Sequence, residues 1–224
     1  AIEVVDRVMR HVSDGGAQMP LRHVVPVGEA NGMGVMSGAI GAPDCYGVKL
    51  ISLFPANPAR GLSGHRGAVV LFEPETGGAV AMMDAGLLTA IRTAAASAVA
   101  TRALARADAR HLVLVGTGEQ AEHHLTGHPQ GDLAPRDAVA RADILCTLTS
   151  SAQPVLHGAW LPDGVHVNIV GASVPSKREV DDALVRRAAI WVDFRASALA
   201  QAGELVDMIR AGRITPDHLR GEIG

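Results

Sequence analysis

Ile2, Val5, Val8, Met9 and Val12 fall at helical spacing and predict an amphipathic helix over residues 1–15, stopped by Gly15-Gly16. The pattern then breaks into short pieces of strand character at 22–27, 34–39, 46–54, 68–72 and 78–83. The last two flank Glu73-Pro74-Glu75-Thr76-Gly77-Gly78, a hairpin turn by its Pro and Gly content. This half is expected to be a mainly antiparallel sheet. A long helix follows over 87–105, so rich in Ala that another backbone can pack closely against it. Beyond it the pattern changes. Residues 111–115, 144–149, 165–170 and 189–192 are wholly apolar strands alternating with helical stretches at 135–142 and 181–188, which predicts a parallel α/β sheet.

Gly116-x-Gly118-x-x-Ala121 follows the first of these strands and opens a helix. The first Gly permits the tight turn, the second lets the backbone approach a pyrophosphate, and Ala in third place allows close helix packing. The expected fold class is therefore α/β: a Rossmann-type parallel domain binding NAD or NADP, beside an α+β, mainly antiparallel domain. A dinucleotide fold also needs a second strand, ending about 20 residues on in an acid or base that reads the ribose. Here Gly127-His128-Pro129-Gln130-Gly131 leads straight to the next helix, leaving no room for that strand. The expectation is an omitted segment near 126–127. A start on Ala1 and a stop on Gly224 point the same way, toward a piece of a longer protein. The expected boundaries are 1–106, 107–195 for the nucleotide domain, and 196–224 returning toward the first domain.

Composition narrows the function. With 224 residues, 48% apolar and 19% charged, the chain is too apolar to be disordered, and a net charge of -3 offers no footprint for nucleic acid. No run approaches the ~20 apolar residues a membrane helix needs. Cys45 and Cys146 stand alone in apolar stretches, which predicts a reducing, cytoplasmic setting without disulfides or a zinc site. Aromatics are only 3%, so Ala, Val, Leu and Ile must fill the core. Of 20 basic residues only Lys49 and Lys177 are lysine, so each is a choice among many arginines.

Lys49 shares one strand face with Ile51 and Leu53, so it either snorkels at a sheet edge or points into a site. Arg92 reads either as a surface arginine on a helix or, with Ala94, Ala95 and Ala96 around it, as a residue of a close-packed neighbourhood in which a guanidinium needs an anionic partner. The histidines, including His123, His124 and His128, match no metal spacing and read as solvent-facing; His65 alone is expected near a site. Glu119, Asp143 and Asp193 read as loop or strand-end carboxylates. Ser150, Ser151 and Ser173 lack the neighbours of a hydrolase nucleophile.

Together, Thr89-Ala90-Ile91-Arg92-Thr93-Ala94-Ala95-Ala96-Ser97, the Gly116–Ala121 turn, Gly47-Val48-Lys49 and His166-Val167-Asn168-Ile169-Val170-Gly171-Ala172-Ser173 with Arg178-Glu179-Val180-Asp181 resemble the ornithine cyclodeaminase/mu-crystallin family. The resemblance spans the whole chain. It implies a homodimer joined through the sheet domain, with substrate bound there and NAD or NADP on the Rossmann domain. By matching motif, Arg22, Lys49 and Arg92 resemble the residues that hold a substrate carboxylate, with Lys49 and Arg92 catalytic. His65 and Ser173 complete the substrate set. Thr93, Gly116, Thr117, Gly118, Glu119, Gln120, Thr147 and Thr149 resemble the cofactor set.

The family's true cyclodeaminases carry a glutamate in the strand before the lysine and an aspartate in the turn after the fifth strand. Here those stretches read Val35-Met36-Ser37-Gly38 and Gly171-Ala172-Ser173, with no acid in either. The resemblance therefore favours an NAD(P)H-dependent reductase of an α-imino acid or cyclic ketimine. The alternatives are a cyclodeaminase or amino-acid dehydrogenase, or a non-catalytic NADP-dependent binder.

Overall fold

The computed structural model describes residues 1–41, 44–125 and 136–224. In chain order the elements are α1 (Ile2–Ser13), β1 (Ala17–Gln18), β2 (His23–Val27), β3 (Asn31–Gly41), β4 (Asp44–Leu53), β5 (His65–Phe72), β6 (Ala79–Asp84) and α2 (Ala85–Leu104). They continue with β7 (Leu112–Val115), α3 (Glu119–Leu125), α4 (Arg136–Val139), β8 (Ile144–Thr147), β9 (His166–Ile169), α5 (Asp182–Arg187), β10 (Ile190–Val192), α6 (Arg195–Gln201), α7 (Gly203–Arg210) and β11 (Leu219–Glu222). Two units share the chain: one of Arg7–Arg92 with Gly224, the other of Ala1–Asp6 with Thr93–Ile223.

In the first unit β2 to β6 form an antiparallel meander, with β1 and β2 both on β3. The long strands β3 and β4 are in register over their whole paired length, setting Met36 opposite Lys49, and β5 sets Val69 on its other side. Alternation then puts Lys49 and the buried Ile51 on one face and Val48, Val70 and Met82 on the other. The turn predicted between β5 and β6 is present: the Glu73 carboxylate accepts from the amides of Glu75, Thr76 and Gly78 and closes it. The Thr76 hydroxyl donates to it as well, and that hydrogen bond, followed by the one from the Gly78 amide, holds the Glu73 carboxyl down at about 2.

In the second unit β7, β8 and β9 are parallel in that order. Among the described residues β7 pairs with β8 alone, so β7 stands at one edge of this sheet and β9 at the other. The expected omission at Thr126 and Gly127 lies outside the described residues. The core gathers Leu145, Leu156, Val180, Leu184, Val185 and Met208, all aliphatic, as the scarcity of aromatics requires.

Two features were invisible to periodicity. β11 is too short and polar to signal a strand, and it is made one by parallel pairing with β10. The division of the chain falls inside α2, between Arg92 and Thr93, and residues 196–223 join the second unit. This differs from a boundary at 106 because one unbroken Ala-rich helix serves both units, and a helix period carries no mark of which unit covers it.

Candidate functional site

The sheet unit gathers a charged group around Lys49. Its ammonium donates to Thr89 Oγ1 at 2.5 Å, and that hydroxyl donates to Ala85 O at 2.5 Å one turn back in α2. Thr89 had no signal of its own in the sequence; only the fold brings it, 40 residues away, onto the lysine. Burial, then Arg92 and then Arg22, lower the Lys49 pKa to about 8. Those two arginines are the partners the resemblance implied, and both act on this one amine. Lys49 is thus half-buried, with its ammonium held on α2.

Arg92 takes the first of its two expected settings, on the surface of α2. It is exposed, because the alanines around it bury the other side of α2. An exposed guanidinium thus stands within electrostatic reach of the half-buried ammonium. His65 opens β5 in this unit and is exposed; its amide donates to Ser63 Oγ and its carbonyl accepts from that hydroxyl.

The second unit holds the cofactor candidates. Gly116 has φ +129°, a conformation that L side chains rarely adopt, and a Cβ there would meet Leu148 O at 2.9 Å. Gly118 faces open space, and Thr117 and Glu119 are exposed at the start of α3. Thr93 Oγ1 and Gln120 Oε1 are both buried with no hydrogen-bond partner among the described residues. Each stands one turn before a residue of the Ser97–His124 contact, 3.0 Å long, that joins α2 to α3. A dinucleotide supplies both kinds of partner: phosphate oxygens that accept from the Thr93 hydroxyl and amide N–H groups that donate to Gln120 Oε1.

Thr147 and Thr149, expected in the cofactor set, both meet Glu179. Thr147 is fully buried and its hydroxyl donates to Glu179 Oε2 at 2.8 Å, while the Thr149 amide donates to Oε1 at 2.6 Å. The Gly171 amide, at the end of β9, donates to Oε2 at 2.6 Å. A side chain at Gly171 is impossible, since a Cβ would lie 2.0 Å from Thr149 O. Glu179 is thus a buried clamp on the carboxyl ends of β8 and β9, where ligands of open α/β sheets bind. Sequence reasoning missed it, because no local pattern distinguishes a buried loop glutamate from a solvated one. Its own amide donates to Glu204 Oε1 at 2.7 Å, and burial pushes the Glu204 carboxyl up. Ser173 is exposed just beyond this clamp.

His124 overturns its solvent-facing reading. It is 7% exposed, sits between Ser97 Oγ and Gln120 O, and burial lowers its pKa. His128 lies outside the described residues. Asp143 is the strand-end carboxylate expected: the amides of Arg110 and His111 hold its pKa at about 2. Among the described residues no cluster of His, Cys, Asp or Glu could hold a metal, and no helix is long and apolar enough to cross a membrane.

Comparison with known proteins places this arrangement. The chain is 34% identical to the ketimine reductase mu-crystallin of Mus musculus over 223 aligned positions, covering 86% of this chain and 71% of that one. That alignment leaves roughly thirty of its positions without a counterpart here. Among solved structures, Thermococcus litoralis Δ1-pyrroline-2-carboxylate reductase, in complex with NADH and L-proline, superposes with TM-score 0.92 at 28% identity, over 99% of this chain and 79% of that one. An archaeal alanine dehydrogenase dimer with bound NAD gives TM-score 0.90 at 28% identity, over 100% and 78%. A model of the ornithine cyclodeaminase/mu-crystallin family matches residues 1–128 and 133–224, through both the lysine strand and the glycine turn. On that match the chain belongs to the ornithine cyclodeaminase/mu-crystallin family.

Proposed function

We propose that this protein is an NAD(P)H-dependent reductase that converts an α-imino acid or cyclic ketimine, of the pyrroline- or piperideine-2-carboxylate type, to the amino acid. The observation that carries this reading is the pairing of Lys49 with Met36. A half-buried amine flanked by two guanidinium groups suits a substrate α-carboxylate, and the strand position beside it holds a thioether. A cyclodeaminase needs a carboxylate in that strand to receive a second amine, and Met36 supplies none.

In this reading Arg22, Lys49 and Arg92 hold the carboxylate and so fix the α-carbon. Thr89 orients the lysine. With a pKa of about 8, Lys49 can give a proton to the imine nitrogen and recover it near neutral pH, and an iminium carbon accepts hydride far better than a neutral imine. Thr93, Gly116, Thr117, Gly118, Glu119 and Gln120 would hold the dinucleotide, with Thr147 and Thr149 shaping its loop through Glu179. When bound, the reduced nicotinamide supplies the hydride. His65 and Ser173 are assigned to the substrate set by their motifs.

The sheet unit is the substrate and dimerisation half, and the other unit the nucleotide half. A homodimer in the cytoplasm is part of the proposal. Support comes from Val80 and Met82, 62% and 78% exposed on the sheet face opposite Lys49. The break in the family match at 129–132 falls between α3 and α4 and supports an omitted segment there, where the ribose-reading strand would stand. The test is NAD(P)H oxidation with a panel of cyclic imines and of 2-oxo acids plus amines. Turnover across this panel is expected; ammonia release from L-ornithine with no imine reduction would reverse the assignment.

A further inference from the structure

The face that presents Lys49 also carries a groove of about 350 Å³. Strand register explains its shape. Met36, Lys49 and Val69 stand in one row across β3, β4 and β5, and the next row on that face is Gly38, Gly47 and Leu71. Two glycines side by side leave a floor without side chains, starting two residues from Lys49, or roughly 7 Å along the strand. That floor cannot be filled cheaply, because a Cβ at Gly47 would lie 2.6 Å from Val70 O. Ile40 follows on the far side, and Val8 and Val12 of α1 with Met19 line the opposite wall. Lys49 is the one charged side chain among the described residues that line the groove, and no carboxylate is among them.

We infer that this groove is the side-chain pocket of the substrate and selects α-imino acids with apolar, uncharged side chains. The inference rests on the reading of Lys49 as carboxylate holder given above. With the carboxylate on the ammonium, the substituent on the α-carbon runs over the Gly38–Gly47 floor between Met36 and Leu71. An alkyl chain there leaves water for an apolar wall, worth about three- to fourfold in kcat/KM per added methylene. A second ammonium finds no acceptor and meets the charge of Lys49, and a second carboxylate loses its hydration among Val, Ile, Leu and Met. The groove therefore disfavours imines derived from diamino acids and from acidic amino acids.

The experiment uses the intact protein with reduced nicotinamide and imines formed from methylamine with pyruvate, 2-oxobutanoate, 4-methyl-2-oxopentanoate, oxaloacetate and 2-oxoglutarate. Calorimetric binding of the matching L-amino acids and of L-ornithine runs alongside. The expected result is kcat/KM rising along the alkyl series and falling at least tenfold for the acidic members. Met36→Glu should reverse the order by admitting L-ornithine. Leu71→Phe, which keeps the wall apolar, should cut turnover of the longest alkyl member by a larger factor than that of the pyruvate imine. A flat or inverted order in the wild-type protein, or an equal loss for all substrates in Leu71→Phe, overturns the pocket assignment alone. No turnover of any imine together with no amino-acid binding overturns the reductase reading and the pocket with it.

Discussion

The Lys49 ammonium loses its proton near pH 8 in the free protein, because burial and then Arg92 and Arg22 disfavour its charge. A substrate or product carboxylate binds the charged form, so its affinity should fall as pH rises through about 8. Calorimetric titration of an L-amino acid product on both sides of that pH measures this. Lys49→Arg should move the limb out of range, since a guanidinium stays charged, and Lys49→Met should abolish carboxylate binding at every pH. Stability of the unliganded protein runs the opposite way. Between about 8 and 10.5 the unfolded chain holds the Lys49 proton and the folded one does not, so this residue's penalty on the fold is relieved as pH rises through that window.

At this same scale the sequence was readable where a residue type was scarce and unreadable where its partner was distant. Lysine is rare enough that Lys49 drew notice from composition and strand face. Thr89, Glu179 and the buried state of His124 depended on contacts 40, 30 and 27 residues away, which no local pattern encodes.

Between strand and helix, the Gly116 turn and the Glu179 clamp decide the nucleotide half. Gly116→Ala forces a side chain into φ +129° against Leu148 O, which should cost about 1–3 kcal/mol. Chemical denaturation measures that cost, and the dissociation constant for NADH should rise with it. Glu179→Gln turns an amide nitrogen toward donors that now meet carboxylate oxygen, leaving at least one of Thr147 Oγ1, Thr149 N and Gly171 N unpaired in the core. Nucleotide affinity should fall while binding of a carboxylate ligand to Lys49 holds, so the ratio of the two reports positioning rather than general damage.

The α2–α3 contact adds a pH dependence of its own. His124 is kept neutral by burial, so the unfolded chain takes up its proton first, and stability should decline as pH falls below 6.5. A pH series of thermal unfolding checks this, and His124→Gln should flatten the acid side. The elements themselves were largely legible: the β3–β6 meander, the Glu73 turn and the strand–glycine–helix unit all fall within a residue or a few of their predicted places. β11 was not, since a four-residue strand exists only by virtue of its partner β10.

At the scale of the molecule, a homodimer would bury the Val80 and Met82 face. Met82→Glu should convert a dimer to monomer by light scattering while preserving the fold, because Met82 is 78% exposed in the single chain. The sequence by itself determined the fold class and the family. Hydrophobic period distinguishes an antiparallel meander from buried parallel strands, and the glycine and Thr-Ala-Ile-Arg strings are local enough to survive without their neighbours. Only the tertiary structure decided that α2 serves both units, that Glu179 fastens two strand ends, and that Met36 and the Gly38–Gly47 pair set an apolar groove beside Lys49. Strand register does this last step. A chain read one residue at a time shows alternation, but it cannot show which residue of one strand stands beside which residue of the next.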